Sequence, residues 1–143
     1  MLAPLGIFIW NRYSSGHWET VDASAPKDRP ALYTAAFVLL IPIGIYFGLR
    51  ERSTEMVRGL AAVAILIGIL AGANRWIKLS VHVTLASFAT IIILRLAAGL
   101  GAALLLFLPF LAWSRLVLAR HKPAEVGGGF LLGLIIGELT RWL

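Results

Sequence analysis

Apolar residues fall in long blocks along this chain, and the charged residues cluster between them. Roughly 17 to 25 mostly apolar residues cross a bilayer as a helix. Five blocks meet or approach that length, at residues 31–49, 57–73, 77–94, 98–119 and 123–143. A further stretch, residues 2–10, is too short to cross and reads as an interfacial helix or the remnant of another span. Trp10, Tyr13 and Trp18 with Arg12 suit anchoring at the interface. Pro30 and Pro123 stand near first helical turns, where the missing N–H is harmless. Gly44 with Gly48, and Gly133 with Gly137, have the small-xxx-small spacing that lets helix backbones approach, and read as bundle packing. The expected fold is all-α. It is a polytopic membrane bundle of about five transmembrane helices plus the short N-terminal apolar segment, in one domain covering residues 1–143.

Composition sharpens this picture. The hydrophobic share is 59%, charged residues make up 14%, and mean hydropathy is +0.86, which together point to a bilayer as the solvent. Met1 to Trp10 lacks a basic n-region and a small-residue cleavage site, so it is treated as mature protein rather than a signal peptide. The net charge of +6 could suggest nucleic acid, but no basic soluble domain and no aromatic ladder between cations accompanies it. A phosphate-bearing lipid is the better match as partner. With no cysteine, neither a disulfide nor a thiolate metal site is possible.

Threading the five spans assigns the loops to faces. The segment Lys27-Asp28-Arg29-Pro30, the segment from Lys78 to His82 and the run from Ser114 to Glu125 all come to one face. Arg50, Glu51, Arg52, Glu55, Arg58 and Arg95 come to the other, as a solvated connection and a turn. If cations that serve as phosphate ligands are discounted, the second face is cytoplasmic by the positive-inside rule. The protein is then a multi-pass cell-membrane protein whose shared face is extracytoplasmic.

That face carries the candidate chemistry. His121 and Glu125 stand at i and i+4, on one side of a helix that begins near His121. A carboxylate on one imidazole nitrogen fixes the tautomer and leaves the other nitrogen able to act. With Arg115 one loop earlier, the pair reads as a nucleophile beside a phosphate clamp. It also reads as an interfacial histidine that merely bonds its neighbour. A metal site built from His82, His121 and Glu125 is a third reading, disfavoured by the surrounding Arg29, Arg75, Lys78, Arg115, Arg120 and Lys122. Arg75, Lys78 and His82 share a helical stripe at the start of the third span, where unpaired backbone N–H groups favour an anion. Ser80, off that stripe, offers a hydroxyl or a cap.

The run Ser114-Arg115, five residues, His121, three residues, Glu125 resembles the third motif of the type 2 phosphatidic acid phosphatase superfamily, with Glu125 in place of aspartate. That superfamily contains membrane lipid phosphatases and, on related cores, vanadium-dependent haloperoxidases. The second motif, P-S-G-H, aligns with Leu79-Ser80-Val81-His82 and keeps the serine and histidine. The first, K-x6-R-P, aligns with Arg29-Pro30 and has Asp22 at the lysine position, with Lys27 nearby and Lys78 as a spatial substitute.

The resemblance implies a metal-independent hydrolase of phosphomonoesters or diphosphates, without a cofactor. It makes His121 the nucleophile, Glu125 its orienting carboxylate and His82 the general acid. Arg115, Arg29 and Lys78, with Ser80, would hold the phosphoryl group. The implied substrate is a lipid phosphate or prenyl diphosphate. The alternatives are a silent relative that binds phospholipid headgroups, and a small transporter or scaffold.

Overall fold

The computed structural model describes residues 2–18, 27–50 and 54–142. Among the described residues six helices follow in order: α1 Leu2–Ser14, α2 Arg29–Arg50, α3 Thr54–Ala73, α4 Val81–Leu96, α5 Ala98–Val117 and α6 Pro123–Leu139. No strand occurs among the described residues. The chain divides into two compact units, Met1–Asn74 and Arg75–Leu143.

The five apolar blocks are all helical, but their ends differ from expectation for local reasons. Glu55 and Arg58 lie inside α3 rather than in a solvated loop. Glu51 and Arg52 lie outside the described residues, as does Asp22. The third block becomes helical only at Val81, because Ser80 is extended (φ −76°, ψ 101°) and sends its N–H to the Glu125 carbonyl, 3.1 Å away. The fourth stops at Val117, two residues before Ala119 turns left-handed at φ 51°. Among the described residues two helices, α2 over Arg29–Leu49 and α5, are long and apolar enough to cross a membrane. The apolar part of α3 and the whole of α4 are shorter, and α6 has 17 residues.

In the first unit, buried stripes recur at helical spacing: Tyr33, Ala36 and Leu40 on α2, and Ala62, Leu66 and Leu70 on α3. α1 packs beside α2. Trp10 and Tyr13 are exposed, as interface anchors would be. Trp18 is buried edge-on against Phe8, with centroids 5.8 Å apart, so it packs the unit instead of anchoring it. Gly44 and Gly48 face open space, and the close approach expected of them does not occur among the described residues.

In the second unit, α4 makes its largest contact with α6. The two run parallel: Gly129 meets Ser80 and Thr84, Gly133 meets Thr84, Ser87 and Phe88, and Gly137 meets Ile91. A Cβ at Gly133 would collide with the Thr84 carbonyl, so only glycine permits this approach. Polar residues on the α4 face are fully buried at no hydrogen-bonding loss. Thr84, Ser87 and Thr90 each return their hydroxyl to the carbonyl four residues back, at 2.9, 2.8 and 2.7 Å. α5 runs back between them in sequence, joined to α4 through Ala97 alone.

Parallel packing gathers like ends. At the C-terminal end, Arg95 donates to the Gly137 carbonyl and to Thr140 Oγ1, both at 2.8 Å, and pairs with Glu138 at 3.1 Å. Arg141 reaches the same carboxylate at 3.2 Å. At the other end, the N-termini of α4 and α6 stand together, closed by the Ser80 to Glu125 backbone bond.

Candidate active site

α6 starts at Pro123, so His121 precedes the helix instead of lying on its face as expected. The pair forms nonetheless, because Glu125 occupies the third helical position, from which a glutamate reaches back to the N-cap. Its Oε2 accepts from the Lys122 N–H at 3.2 Å and from His121 Nδ1 at 2.9 Å. One carboxylate oxygen thus caps α6 and orients the imidazole.

The preceding loop holds His121 from behind. Ala119 takes the left-handed conformation that ends α5, and the Arg115 carbonyl then accepts from the N–H groups of Arg120 (3.1 Å) and His121 (3.3 Å). Of the five residues between Arg115 and His121, Leu116 and Val117 finish α5 and the other three make this turn. The Arg115 side chain, half-buried in the last turn of α5, starts it.

A second acceptor meets the imidazole. The Lys78 carbonyl lies 3.1 Å from Nδ1. Both Nδ1 partners, a carboxylate and a carbonyl, can only accept, so Nδ1 carries the hydrogen and the lone pair is assigned to Nε2. The imidazole is buried, with its side chain 3% exposed, against 14% for Glu125.

Arg75 and Lys78 lie in the non-helical segment before α4, so the helical stripe expected to join them to His82 does not exist. Lys78 contributes through its carbonyl and its charge on Glu125 instead. Ser80 is the N-cap of α4 by position but makes no side-chain cap bond. Its Oγ is fully buried and has no hydrogen-bond partner among the described residues. His82 is the second residue of α4 and is exposed.

Lys78, Ser80, His82, Arg115, His121 and Glu125 therefore occupy one end of the second unit. Arg29 belongs to the first, buried at the start of α2, with Nη1 3.4 Å from Asn74 Oδ1. Among the described residues, no three His, Asp or Glu side chains gather as a metal site.

Sequence reasoning missed two partners. A backbone carbonyl such as that of Lys78 has no side-chain signature. Asn74 carried a usable one, being a polar residue at the end of an apolar helix. No family model, curated protein or solved structure matches the chain.

Proposed function

We propose that this protein is a multi-pass membrane phosphatase that hydrolyses a lipid phosphate or prenyl diphosphate through a histidine nucleophile. The observation that carries the reading is that His121 Nδ1 faces two acceptors, at 2.9 and 3.1 Å, which in the neutral ring places the hydrogen on Nδ1 and the lone pair on Nε2. Such a histidine needs an electrophile, and its surroundings suit phosphorus. Two parallel helix N-termini bring their positive dipole ends together, with Lys78 and Arg115 at the same end. The buried hydroxyl of Ser80 is a donor suited to a phosphoryl oxygen.

In this mechanism Nε2 attacks phosphorus, and the P–N bond forms as the P–O bond to the lipid breaks. Glu125 stabilises the imidazolium that develops. His82, protonated, gives its proton to the departing lipid oxygen. Water then attacks the phosphohistidine while His82 takes one of its protons, releasing inorganic phosphate and restoring both histidines. Arg29 is counted among the phosphate ligands in this reading on the motif resemblance alone.

The proposal includes five spans, with α3, α4 and α6 crossing as well as α2 and α5, and the site end extracytoplasmic. Its support within the second unit is the parallel α4–α6 pair with an antiparallel return, which puts the N-terminal ends of α4 and α6 on one side. The test is phosphate release by purified protein in detergent from a panel of lipid phosphates and prenyl diphosphates. Release that survives EDTA and is suppressed by vanadate, a mimic of five-coordinate phosphorus, is expected. No release from any substrate, with headgroup binding intact, would favour a silent relative instead.

A further inference from the structure

An open cleft of about 560 Å³ lies in the first unit between α1 and α2, lined by Phe8, Arg12, Thr34, Ala35, Val38 and neighbouring apolar residues. Phe8 and Arg12 are one turn apart on α1. On α2 the lining runs from Ala31 to Leu39, about 12 Å of helix at 1.5 Å per residue. Alanines at 31 and 35 leave room where larger side chains would close the gap between helices.

Arg12 makes this groove more than an uncovered apolar face. It is half-buried in the last turn of α1, and its Nε is buried with no hydrogen-bond partner among the described residues. Its guanidinium carbon stands 6.0 Å from the Phe8 ring centroid, so the cation is held over the groove's own aromatic wall. A guanidinium whose Nε has no partner is costly in apolar surroundings; its planar fork matches a phosphate, and its uncompensated charge favours a lipid whose phosphate charge is not cancelled by a headgroup cation. A single long hydrocarbon chain suits the remaining lining.

We infer that this groove binds one anionic phospholipid, with an acyl chain along Ala31–Leu39 and the headgroup phosphate on Arg12. The inference rests on the membrane reading but not on hydrolysis. The occupant is a bound lipid, separate from any substrate.

Trp18, packed edge-on against Phe8, supplies the probe. A variant with the other four tryptophans (Trp10, Trp76, Trp113 and Trp142) replaced by phenylalanine is reconstituted into phosphatidylcholine vesicles. Acyl-brominated phosphatidylglycerol or acyl-brominated phosphatidylcholine is then titrated in at equal bromine. The phosphatidylglycerol is expected to quench Trp18 at a several-fold lower mole fraction. Arg12→Gln should erase that difference, whereas Arg141→Gln, at an exposed cation of the second unit, should leave it. Ala35→Leu, which fills the groove, should weaken quenching by both lipids, with folding checked by size-exclusion profile. Equal quenching by the two lipids in the parent protein would overturn the inference without any further variant. So would a preference that survives Arg12→Gln or falls equally with Arg141→Gln, which would mean surface potential only. Cross-linking between copies through a cysteine placed at Val38, with Trp18 unquenched, would assign the groove to a second copy of the chain and overturn it too. His121→Ala should not alter the lipid preference, so failure of the phosphatase reading and failure of this one give different results.

Discussion

At the C-terminal ends of α4 and α6, Arg95, Glu138, Thr140 and Arg141 meet one another, with the Glu138 side chain half exposed at 50%. At the N-terminal ends of the same two helices, His121 and Glu125 meet in a buried site that also draws in the Lys78 carbonyl and the Lys122 N–H. Both clusters hold the pair of helices together. In the first, opposite charges satisfy each other in contact with solvent, and little follows beyond stability. In the second, acceptors converge on one imidazole nitrogen, and the reactive electron pair is thereby assigned to the other. Charge content alone does not distinguish the two ends; the direction of each hydrogen bond does.

The widest separation between the ends is expected in turnover. His121→Ala should abolish lipid phosphate hydrolysis, because no phosphoenzyme forms, while Glu138→Gln should leave it unchanged. His82→Ala should spare a nitrophenyl phosphate, whose leaving group needs no proton, far better than a lipid alkoxide. Rates on both substrates in detergent, with size-exclusion profiles as the folding check, measure this. Equal losses for His82→Ala on the two substrates would remove its role as acid. Unchanged turnover in His121→Ala would remove the nucleophile.

A smaller effect tests the seam that joins the two ends. Gly133→Ala puts a methyl group into the Thr84 carbonyl and should cost about 1–3 kcal/mol, as overpacking does. Gly44→Ala, facing open space, should instead gain about 0.5–1 kcal/mol from helix propensity. Thermal midpoints of the two variants should move in opposite directions. A shared direction would mean that the α4–α6 approach is not what the glycines serve.

These glycines also mark how far the sequence could be read. Helical class was legible because apolar blocks leave little else, and the pairing of His121 with Glu125 was legible from spacing. The two glycine pairs had identical spacing, yet only Gly133 and Gly137 lie in a close contact. Spacing describes one helix and says nothing of which partner arrives. The start of α4 was misplaced for a related reason. Ser80 is pinned by the Glu125 carbonyl, a bond between segments 45 residues apart that no local pattern contains. The same holds for the Lys78 carbonyl on His121. Trp18 shows the same limit, because an aromatic residue near a span suits an interface as well as a core.

A gentler effect is expected at the solvent-facing carboxylate. Glu138→Gln should cost only about 0.2–1 kcal/mol near neutrality, the range of a solvent-screened pair, read as a small fall in thermal midpoint.

The smallest effect is expected where the site loop departs from α5. Ala119 holds φ at 51°, a left-handed conformation that costs a residue bearing a Cβ roughly 1–2 kcal/mol. Ala119→Gly removes that cost but gives the unfolded chain more freedom, worth about 0.4–1 kcal/mol in the other direction. The net change should be a stabilisation of about half a kcal/mol, read as a small rise in thermal midpoint. The turn itself should be preserved, since glycine is the usual residue where a helix ends this way. The Arg115 carbonyl would still receive the Arg120 and His121 N–H groups, so hydrolysis should stay near the parent rate. A fall in midpoint would mean that Ala119 is not left-handed in the folded protein. The loop would then have to present His121 to Glu125 by another path.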